Sequence, residues 1–525
     1  MPREIWTCDC ETDPFKKGRI PKPFIWGIYT GVDFKHFLTV KELIEYLYDK
    51  EIIIYAHNGG KFDWHYIIEY IEDYTTLTVI NGRLAKFKIG ACEFRDSFNI
   101  IPVALNKYKK DDIDYDIMEE SERNKPENWK VIFEYLKNDC IYLHELVTDF
   151  VSEYGINLTQ AGSAMNYWAK MQLIKPPETC EEYYNYFKPY YYGGRVECFK
   201  SGIIKEPFKV IDINSAYPFA MIHEHPWGEA FNTDTILPKS DEEISRSLIK
   251  LRAASTGAFP YREKMGLSFP NDHEIRTFTI TGWEYLAARD TSTLGNVEIL
   301  EVTSFLSTMN FKSYIDYFYD MKKKAKIIGD TAREIFAKLF LNSLYGKFAA
   351  NPSKYEEFMT IPAYKIEMAE DSDWHLCKLI DNETAVVARP LPETKHRYYN
   401  ICVGASITGF VRAMLWRAIC NSSGVLYCDT DSIATADISN ITLSNELGDW
   451  KIEADCNHGG IGGKKLYAFH QNNGDWKLAS KGVKLSPSEI LEIAQGKVIH
   501  YEPEVPTFTI KGKIDFRGRD IKLTA

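Results

Sequence analysis

Two aspartates one residue apart interrupt an apolar run late in the chain, Val425-Leu426-Tyr427-Cys428-Asp429-Thr430-Asp431-Ser432-Ile433-Ala434. Alternate residues of a strand share a face, so Asp429 and Asp431 are expected side by side on a strand whose apolar flanks are buried. Buried like charges take up protons or acquire a counter-charge, and unpaired they cost roughly several kcal/mol each. A hard divalent cation, which prefers carboxylate oxygens, resolves the conflict. A third acid, Asp212, ends the apolar stretch Lys209-Val210-Ile211 and precedes Ser215, Tyr217 and Pro218 in a turn-like setting. Taken alone, an acid at a strand end is equally well explained by solvation.

A second set of acids lies near the N-terminus. In Ile5-Trp6-Thr7-Cys8-Asp9-Cys10-Glu11 the strand period puts Asp9 and Glu11 on one face, which by itself also describes an exposed edge. His57, Asn58, Phe62 and Asp63 follow at a strand-to-helix junction, where Asp63 is either a ligand or a helix cap. Tyr135 and Asp139 are four apart and share a helical face. Four carboxylates and a tyrosine suffice for two metal ions about 3.5 to 4 Å apart that activate water and stabilise a leaving oxygen. Phosphodiester hydrolysis is the natural chemistry. Between the two sets, helical spacing aligns Lys338, Asn342 and Tyr345 on a cationic, aromatic face suited to a nucleoside triphosphate, although an ordinary amphipathic helix has the same pattern.

A chain of 525 residues has room for two to four domains. Strand patterns (Glu4 to Cys10, Ile52 to Ala56) and helical patterns (Trp64 to Ile71, Trp129 to Phe150) alternate up to about residue 150. Pro189 and Gly193-Gly194 then punctuate the chain. Beyond them, strands at Phe208 to Ile213 and Val425 to Cys428 flank a helical pair, Phe311 to Ile327 and Thr331 to Tyr345, broken at Gly329-Asp330. A formal charge of -11 argues against a polyanionic partner only globally. Acid is concentrated between Asp111 and Glu122, whereas Lys322, Lys323, Lys324 and Lys326 form a basic run. Eleven cysteines without paired CxxC spacing fit reduced thiols. With no 18-residue apolar run and no export signal evident, a cytoplasmic location (host cytoplasm if viral) and no membrane partner are expected.

Asp9-x-Glu11, Asn58-x3-Phe62-Asp63 and Tyr135-x3-Asp139 resemble, in order, the three motifs of the DEDDy 3′ to 5′ exonucleases. The resemblance implies that Asp9, Glu11, Asp63 and Asp139 hold metals and that Tyr135 positions the attacking water. It places His57, Asn58, Phe62 and Ser97 along a 3′ single strand. Where related polymerases carry a lysine shortly before the third motif, this chain has Asp116 and Ile117, so a phosphate-contacting cation is expected to be missing.

Asp212 with Ser215-Ala216-Tyr217-Pro218, Lys338-x3-Asn342-Ser343-Leu344-Tyr345-Gly346 and Tyr427-Cys428-Asp429-Thr430-Asp431-Ser432 resemble motifs A, B and C of family B DNA polymerases. That implies metal ligation by Asp212, Ile213, Asp429 and Asp431, with Tyr217 as steric gate against ribonucleotides. Lys338, Asn342 and Tyr345 would meet the incoming nucleotide, and Lys326 resembles a second phosphate-binding lysine. Tyr191-Tyr192-Gly193-Gly194 is similar to the YxGG linker of the protein-primed members, the phage phi-29 type. Thr408 with Arg412 is similar to their Tx2(A/G)R element, departing at Val411, and Lys465-Leu466-Tyr467 to their KxY; Leu447-Gly448 with Trp450 matches a nearby pattern. By this resemblance Tyr191, Gly193, Gly194, Ser215, Gly346, Thr408, Arg412, Lys465 and Tyr467 contact DNA.

The implied architecture is an α+β multidomain chain, with an RNase H-like α/β exonuclease domain over 1–185 and a right-hand polymerase over 186–525. Within the latter, palm is expected at about 190–255 and 400–455, fingers at 311–348 and thumb at 456–525, with insertions at 256–310 and 349–398. The implied activity is template-directed DNA synthesis with proofreading, using two Mg²⁺ per site, or Mn²⁺. Implied partners are template and primer DNA, dNTPs and a terminal protein that primes a linear viral or plasmid genome, with strand displacement by a monomer. From the residues alone, a nuclease with a DNA-binding second half and a non-catalytic replication scaffold remain open.

Overall fold

The computed structural model describes residues 3–264, 266–352, 355–510 and 514–524. In the first third, β1 (Ile5–Thr12) is an inner strand, third in order, of a seven-stranded sheet. It pairs in parallel with β2 (Ile53–Ala56), which pairs in parallel with Cys92–Asp96; Pro23–Tyr29 and Phe34–Phe37 extend the other edge antiparallel. All four residues of β2 are buried, as expected for a strand covered on both faces. The long helix α1 (Pro126–Tyr154) crosses the sheet, with Pro126 in its first turn where no amide partner is lost. The helix expected from Trp64 to Ile71 is absent: the chain forms two 3₁₀ turns, Asp63–Tyr66 and Ile68–Tyr70. Trp, His, Tyr and Ile are modest helix formers, neither turn has a side-chain cap, and Trp64 is drawn into the core edge-on to Phe94 at 5.3 Å.

The second sheet is built from β3 (Val196–Cys198), β4 (Phe208–Ile213) and, after the helices α2 (Lys312–Ile328), α3 (Thr331–Phe348) and α4 (Ile401–Asn421), from β5 (Val425–Asp429), β6 (Ser432–Thr435) and β7 (Trp450–Gly463). Its order is Trp476–Ser480, Leu466–Gln471, β7, β4, β6, β5, β3, with Gly202–Ile204 also on β7. The break between α2 and α3 falls at Gly329, in the left-handed region at φ 75, followed by Asp330, whose carboxylate accepts the Arg333 amide. Among the described residues α4 alone is long and apolar enough to cross a membrane, and it is almost wholly buried inside the fold.

Two expected boundaries cut through sheets. His225–Asp234 and Leu248–Ala254, within the stretch expected as palm, pair with Glu298–Met309 and Ile275–Thr281 in a separate four-stranded sheet. β7 and the next two strands continue the second sheet to Ser480, well past 455. The segment 349–398 contributes a three-stranded sheet, Glu356–Pro362, Thr384–Pro390 and His375–Leu379, in which Phe358, Val386 and Ala388 share a core with Tyr74 and Leu77. At the far end of α1, Tyr154 packs on Phe340 of α3 at 4.3 Å, inside one core that also takes in α4. Removing a ring of that size from such a core costs about 3–5 kcal/mol.

A buried relay sits under β4. Trp283 Nε1 donates to Ser406 Oγ at 3.1 Å, Ser406 lies 2.8 Å from His225 Nδ1, and His225 Nε2 donates to the Ala220 carbonyl at 2.8 Å. Burial pushes the His225 imidazole down to about 4. The native state therefore binds fewer protons than the unfolded chain between that value and the ordinary histidine value of about 6.5. His225 contributes stability that is complete above pH 6.5 or so and is lost as pH falls toward 4. Thermal melts across that window should show the midpoint falling with acid, and a less steep fall in His225→Gln.

Candidate active site

The N-terminal acids meet in a cleft of about 870 Å³. β1 delivers Asp9 and Glu11, the 3₁₀ turn after β2 delivers Asp63, and α1 delivers Tyr135 and Asp139. Helix and strand are tied by Thr7 Oγ1, which donates to the Cys140 carbonyl at 2.7 Å. Glu11, Asp63 and Asp139 are buried. Burial, then the charges of Asp63 and Asp139, raises Asp9; burial, then Asp9 and Asp139, raises Glu11. Burial lifts Asp63 to about 6 against the Cys10 thiol, which donates to Asp63 Oδ1 at 3.1 Å. Asp139 Oδ1 is buried without a partner among the described residues. Tyr135, its hydroxyl 3.0 Å from that of Tyr115, is held protonated by burial.

The missing cation is present. Lys110 Nζ lies 3.5 Å from Asp139 Oδ2 and 5.5 Å from the centre of the Tyr135 ring, reaching in from the loop before α1. The run Lys107-Tyr108-Lys109-Lys110, immediately ahead of the acidic stretch, was the available signal. Phe62 lines the cleft between the edges of Phe15 at 5.4 Å and Phe508 at 5.5 Å. Phe508, from the opposite end of the chain, is 5 % exposed and also stacks on His65. Asn58 Oδ1 accepts from Arg83 at 2.6 Å. His57 Nε2 donates to the Val103 carbonyl at 2.8 Å while Nδ1 lies 3.0 Å from Ser97 Oγ. Ser97 is fully buried, so it braces His57 and does not line a strand path as expected.

In the second site Asp429 and Asp431 do not share a strand. β5 ends at Asp429, Thr430 turns at φ 63, and the Asp431 amide donates back to the Asp429 carbonyl at 2.7 Å. A hairpin turn so tight forces both carboxylates to one end of the sheet. Asp212 enters through register, opposite Ser432 on one side and Lys451 on the other, and the Ile213 amide donates to the Asp431 carbonyl at 2.9 Å. Burial, then Asp212 and Asp429, lifts Asp431 to about 7. Burial also raises Asp212, with Lys451 opposing from 3.5 Å; Lys465 stands 3.2 Å from Asp429. Among the described residues no three Asp, Glu, His or Cys side chains converge at ligand distance. The acids of the first site nevertheless line one cleft.

Tyr217 and Tyr345 stack face to face, centres 4.2 Å apart and planes parallel, beside Asp431. Ser215, at φ 55, makes the turn into the short helix Ala216–Met221. Lys338 is exposed and pairs with Glu334 at 2.6 Å, and Asn342 Nδ2 donates to the Lys338 carbonyl. Half-buried Lys322 is pushed down by burial and then by the charges of Lys338, Lys451 and Lys326. Lys326, Lys338 and Lys451 thus lie within electrostatic reach of Lys322, and Lys451 also reaches Asp212, an arrangement that suits an anion. The sequence reading named Lys326 and Lys338 and missed Lys451, whose place depends on strand register. Gly346 is exposed, and Tyr467 packs on Tyr427, whose hydroxyl accepts the Lys465 amide at 2.9 Å.

Thr408 and Arg412, expected on DNA, are each 2 % exposed. The Thr408 hydroxyl returns to the carbonyls of Gly404 and Ala405. Arg412 Nε donates to Glu284 at 2.8 Å, and Nη1 to the carbonyls of Tyr192 and Gly193 at 2.7 and 2.8 Å. Both sit on the packed face of α4, where Arg412 holds the carbonyls of Tyr192 and Gly193. Tyr191 is half-buried and Gly193 exposed.

The family described as DNA polymerase type B, organellar and viral, matches residues 104–402. The DNA-directed DNA polymerase of Enterobacteria phage PRD1 is 36% identical over 99% of this chain and 98% of its own. The DNA polymerase of Bacillus phage phi29 is 24% identical over 86% of this chain and 84% of its own. The fold is similar to that of phi29 DNA polymerase complexed with primer-template DNA and incoming nucleotide substrates, with a TM-score of 0.75 at 19% identity over 100% of both chains.

A buried ion pair that loses one partner leaves an uncompensated charge, at a cost of about 3–5 kcal/mol. Denaturant unfolding of Glu284→Ala should show a loss of that order, because both members of its pair with Arg412 are 2 % exposed. Removal of the exposed pair of Lys312 with Asp316 by Lys312→Ala should cost under about 1 kcal/mol.

Proposed function

This chain belongs to the type B DNA polymerases, organellar and viral, and from that premise we propose that it synthesises DNA at Asp212, Asp429 and Asp431 and removes 3′ nucleotides at Asp9, Glu11, Asp63 and Asp139. The observation that carries the reading is the convergence of Asp212, Asp429 and Asp431 at one end of the sheet, where Lys451 and Lys465 stand 3.5 and 3.2 Å from two of them and Asp431 is lifted to about 7. A substrate that carries a triphosphate and arrives with cations satisfies both halves of that arrangement.

The donor sets fit hard divalent ions: all side-chain ligands are carboxylates, several are held above their ordinary pKa, and one buried oxygen of Asp139 has no partner among the described residues. Two Mg²⁺ ions in each site would lower the pKa of the attacking hydroxyl or water and offset charge on the leaving oxygen. The lysines neutralise the triphosphate. Tyr217, backed by the parallel ring of Tyr345, presents a flat wall where a 2′ hydroxyl would collide. In the other cleft Lys110 offsets the phosphate, protonated Tyr135 orients the water, and the Phe15 and Phe62 rings, backed by buried Phe508, receive the terminal bases.

In this reading the seven-stranded sheet with α1 is the exonuclease domain, the second sheet as far as Ser480 is the palm, α2 with α3 the fingers, and the chain beyond 480 the thumb. The sheets at 225–309 and 356–390 are the two insertions. Protein priming is supported by the Tyr191 to Gly194 linker, the Lys465 to Tyr467 motif and the presence of folded units where the protein-primed members carry theirs.

Primer extension with purified protein should require Mg²⁺ or Mn²⁺. Asp429→Ala should lose extension and keep 3′ degradation of single-stranded DNA, and the Asp9→Ala, Glu11→Ala double variant should do the reverse; extension by Asp429→Ala would overturn the assignment. Lys110→Met should slow degradation by about 10- to 100-fold, the usual effect of removing a group that orients metal ligands. With a terminal protein and a labelled dNTP, a covalent protein-nucleotide product is expected, and its absence would remove the priming claim alone.

A further inference from the structure

Arg195 follows the Gly193-Gly194 pair and is 1 % exposed. A guanidinium taken out of water needs its donors met. Nη1 donates to the Gly257 carbonyl at 2.8 Å, and Nε and Nη2 engage the Glu197 carboxylate. The guanidinium lies over the rings of Phe269, 4.2 Å from its centre, and Trp416, at 4.6 Å. Trp416 is itself fixed through Nε1, which donates to Thr293 Oγ1 at 3.1 Å. Grips from β3, from the loops of the four-stranded sheet and from α4 therefore converge on one side chain.

What they immobilise is main chain. The Arg195 carbonyl accepts the Thr430 amide at 2.6 Å, and β3 continues the contact by pairing Val196 with Asp429 and Glu197 with Cys428. Thr430 is β-branched and sits at φ 63, a conformation such residues adopt only when their surroundings impose it. Its hydroxyl donates to Asp429 Oδ1 at 2.9 Å. From the other side, Gly194 approaches so closely that a Cβ there would lie 2.8 Å from Thr430 Cγ2 and 3.2 Å from its Cα.

We infer that Arg195 is a positioning residue for nucleotide transfer: held by Glu197, Gly257, Phe269 and Trp416, it fixes the carbonyl that keeps Thr430 in its left-handed turn, and so sets the separation and aim of Asp429 and Asp431. This rests on the polymerase reading of that turn. The distant cleft of Asp9 and Glu11 has no contact with it and serves as an internal control.

Full-length Arg195→Met, Arg195→Lys and Gly194→Ala should be compared with the parent in single-turnover incorporation, in 3′ degradation of a single-stranded oligonucleotide and in backbone amide exchange of the 425–435 segment. Arg195→Met and Gly194→Ala should lower the maximal incorporation rate about tenfold or more, as small misplacements of reacting groups do. Both should also raise the Mg²⁺ midpoint and speed exchange at the Thr430 amide; Arg195→Met should keep KM for dNTP within about twofold and leave degradation unchanged. Arg195→Lys, which keeps the charge and loses the planar fork, should recover only part of the rate. Parent-like rate and amide exchange in Arg195→Met and Gly194→Ala would overturn the inference. So would a parallel loss of degradation in Arg195→Met, which would mark a general structural role. Extension by Asp429→Ala, run alongside, would instead sink the polymerase reading beneath it.

Discussion

Three aspartates crowded at one end of a sheet repel one another, and most of the second half of the chain counters that repulsion. Asp212 is brought in by strand register, and Asp429 and Asp431 by a turn that cannot relax without breaking the Thr430 amide bond to Arg195. The acids stay partly short of compensation, as the raised Asp431 indicates. Lys451 and Lys465 are close enough to moderate the repulsion and exposed enough to move aside. A site built this way is primed for cations and for the polyanion that carries them.

The first cleft meets the same difficulty with separate elements. Its acids come from a strand, a 3₁₀ turn and a helix, so no single turn fixes their spacing. Rigidity comes from α1, which carries Asp139 at mid-length and Tyr154 at its end, where the ring enters the core of the helical pair. One helix thus carries an acid of the first cleft and packs against the helical pair of the second half.

Much of this was legible from the residues. Alternation predicted β1 and β4 closely because their apolar positions face a core, and Asp9, Glu11, Asp63 and Asp139 do come together in one cleft. What failed depended on long-range geometry. Asp429 and Asp431 were expected on one strand, but period-2 spacing cannot distinguish a strand face from a two-sided turn. Lys451 was invisible because strand register brings it in, and Lys110, although part of a lysine-rich run, could not be placed because a loop excursion carries it to Asp139. Arg412 was expected on DNA by resemblance to a family motif, yet a buried acid 128 residues away claims it. The turns at Asp63 to Tyr70 followed local propensity more than hydrophobic period.

The ring of Phe508 closes one wall of a cleft whose first acid is Asp9. In a chain made from its N-terminus onward, the acids, the 3₁₀ turn and α1 are all available before half the residues have been added, whereas this wall arrives within the last twenty. The cleft of Asp9 is thus begun early and finished late. Completion of its wall marks a chain whose second sheet and helical pair have already been made, so no nascent fragment carries the finished cleft without those strands and helices attached to it.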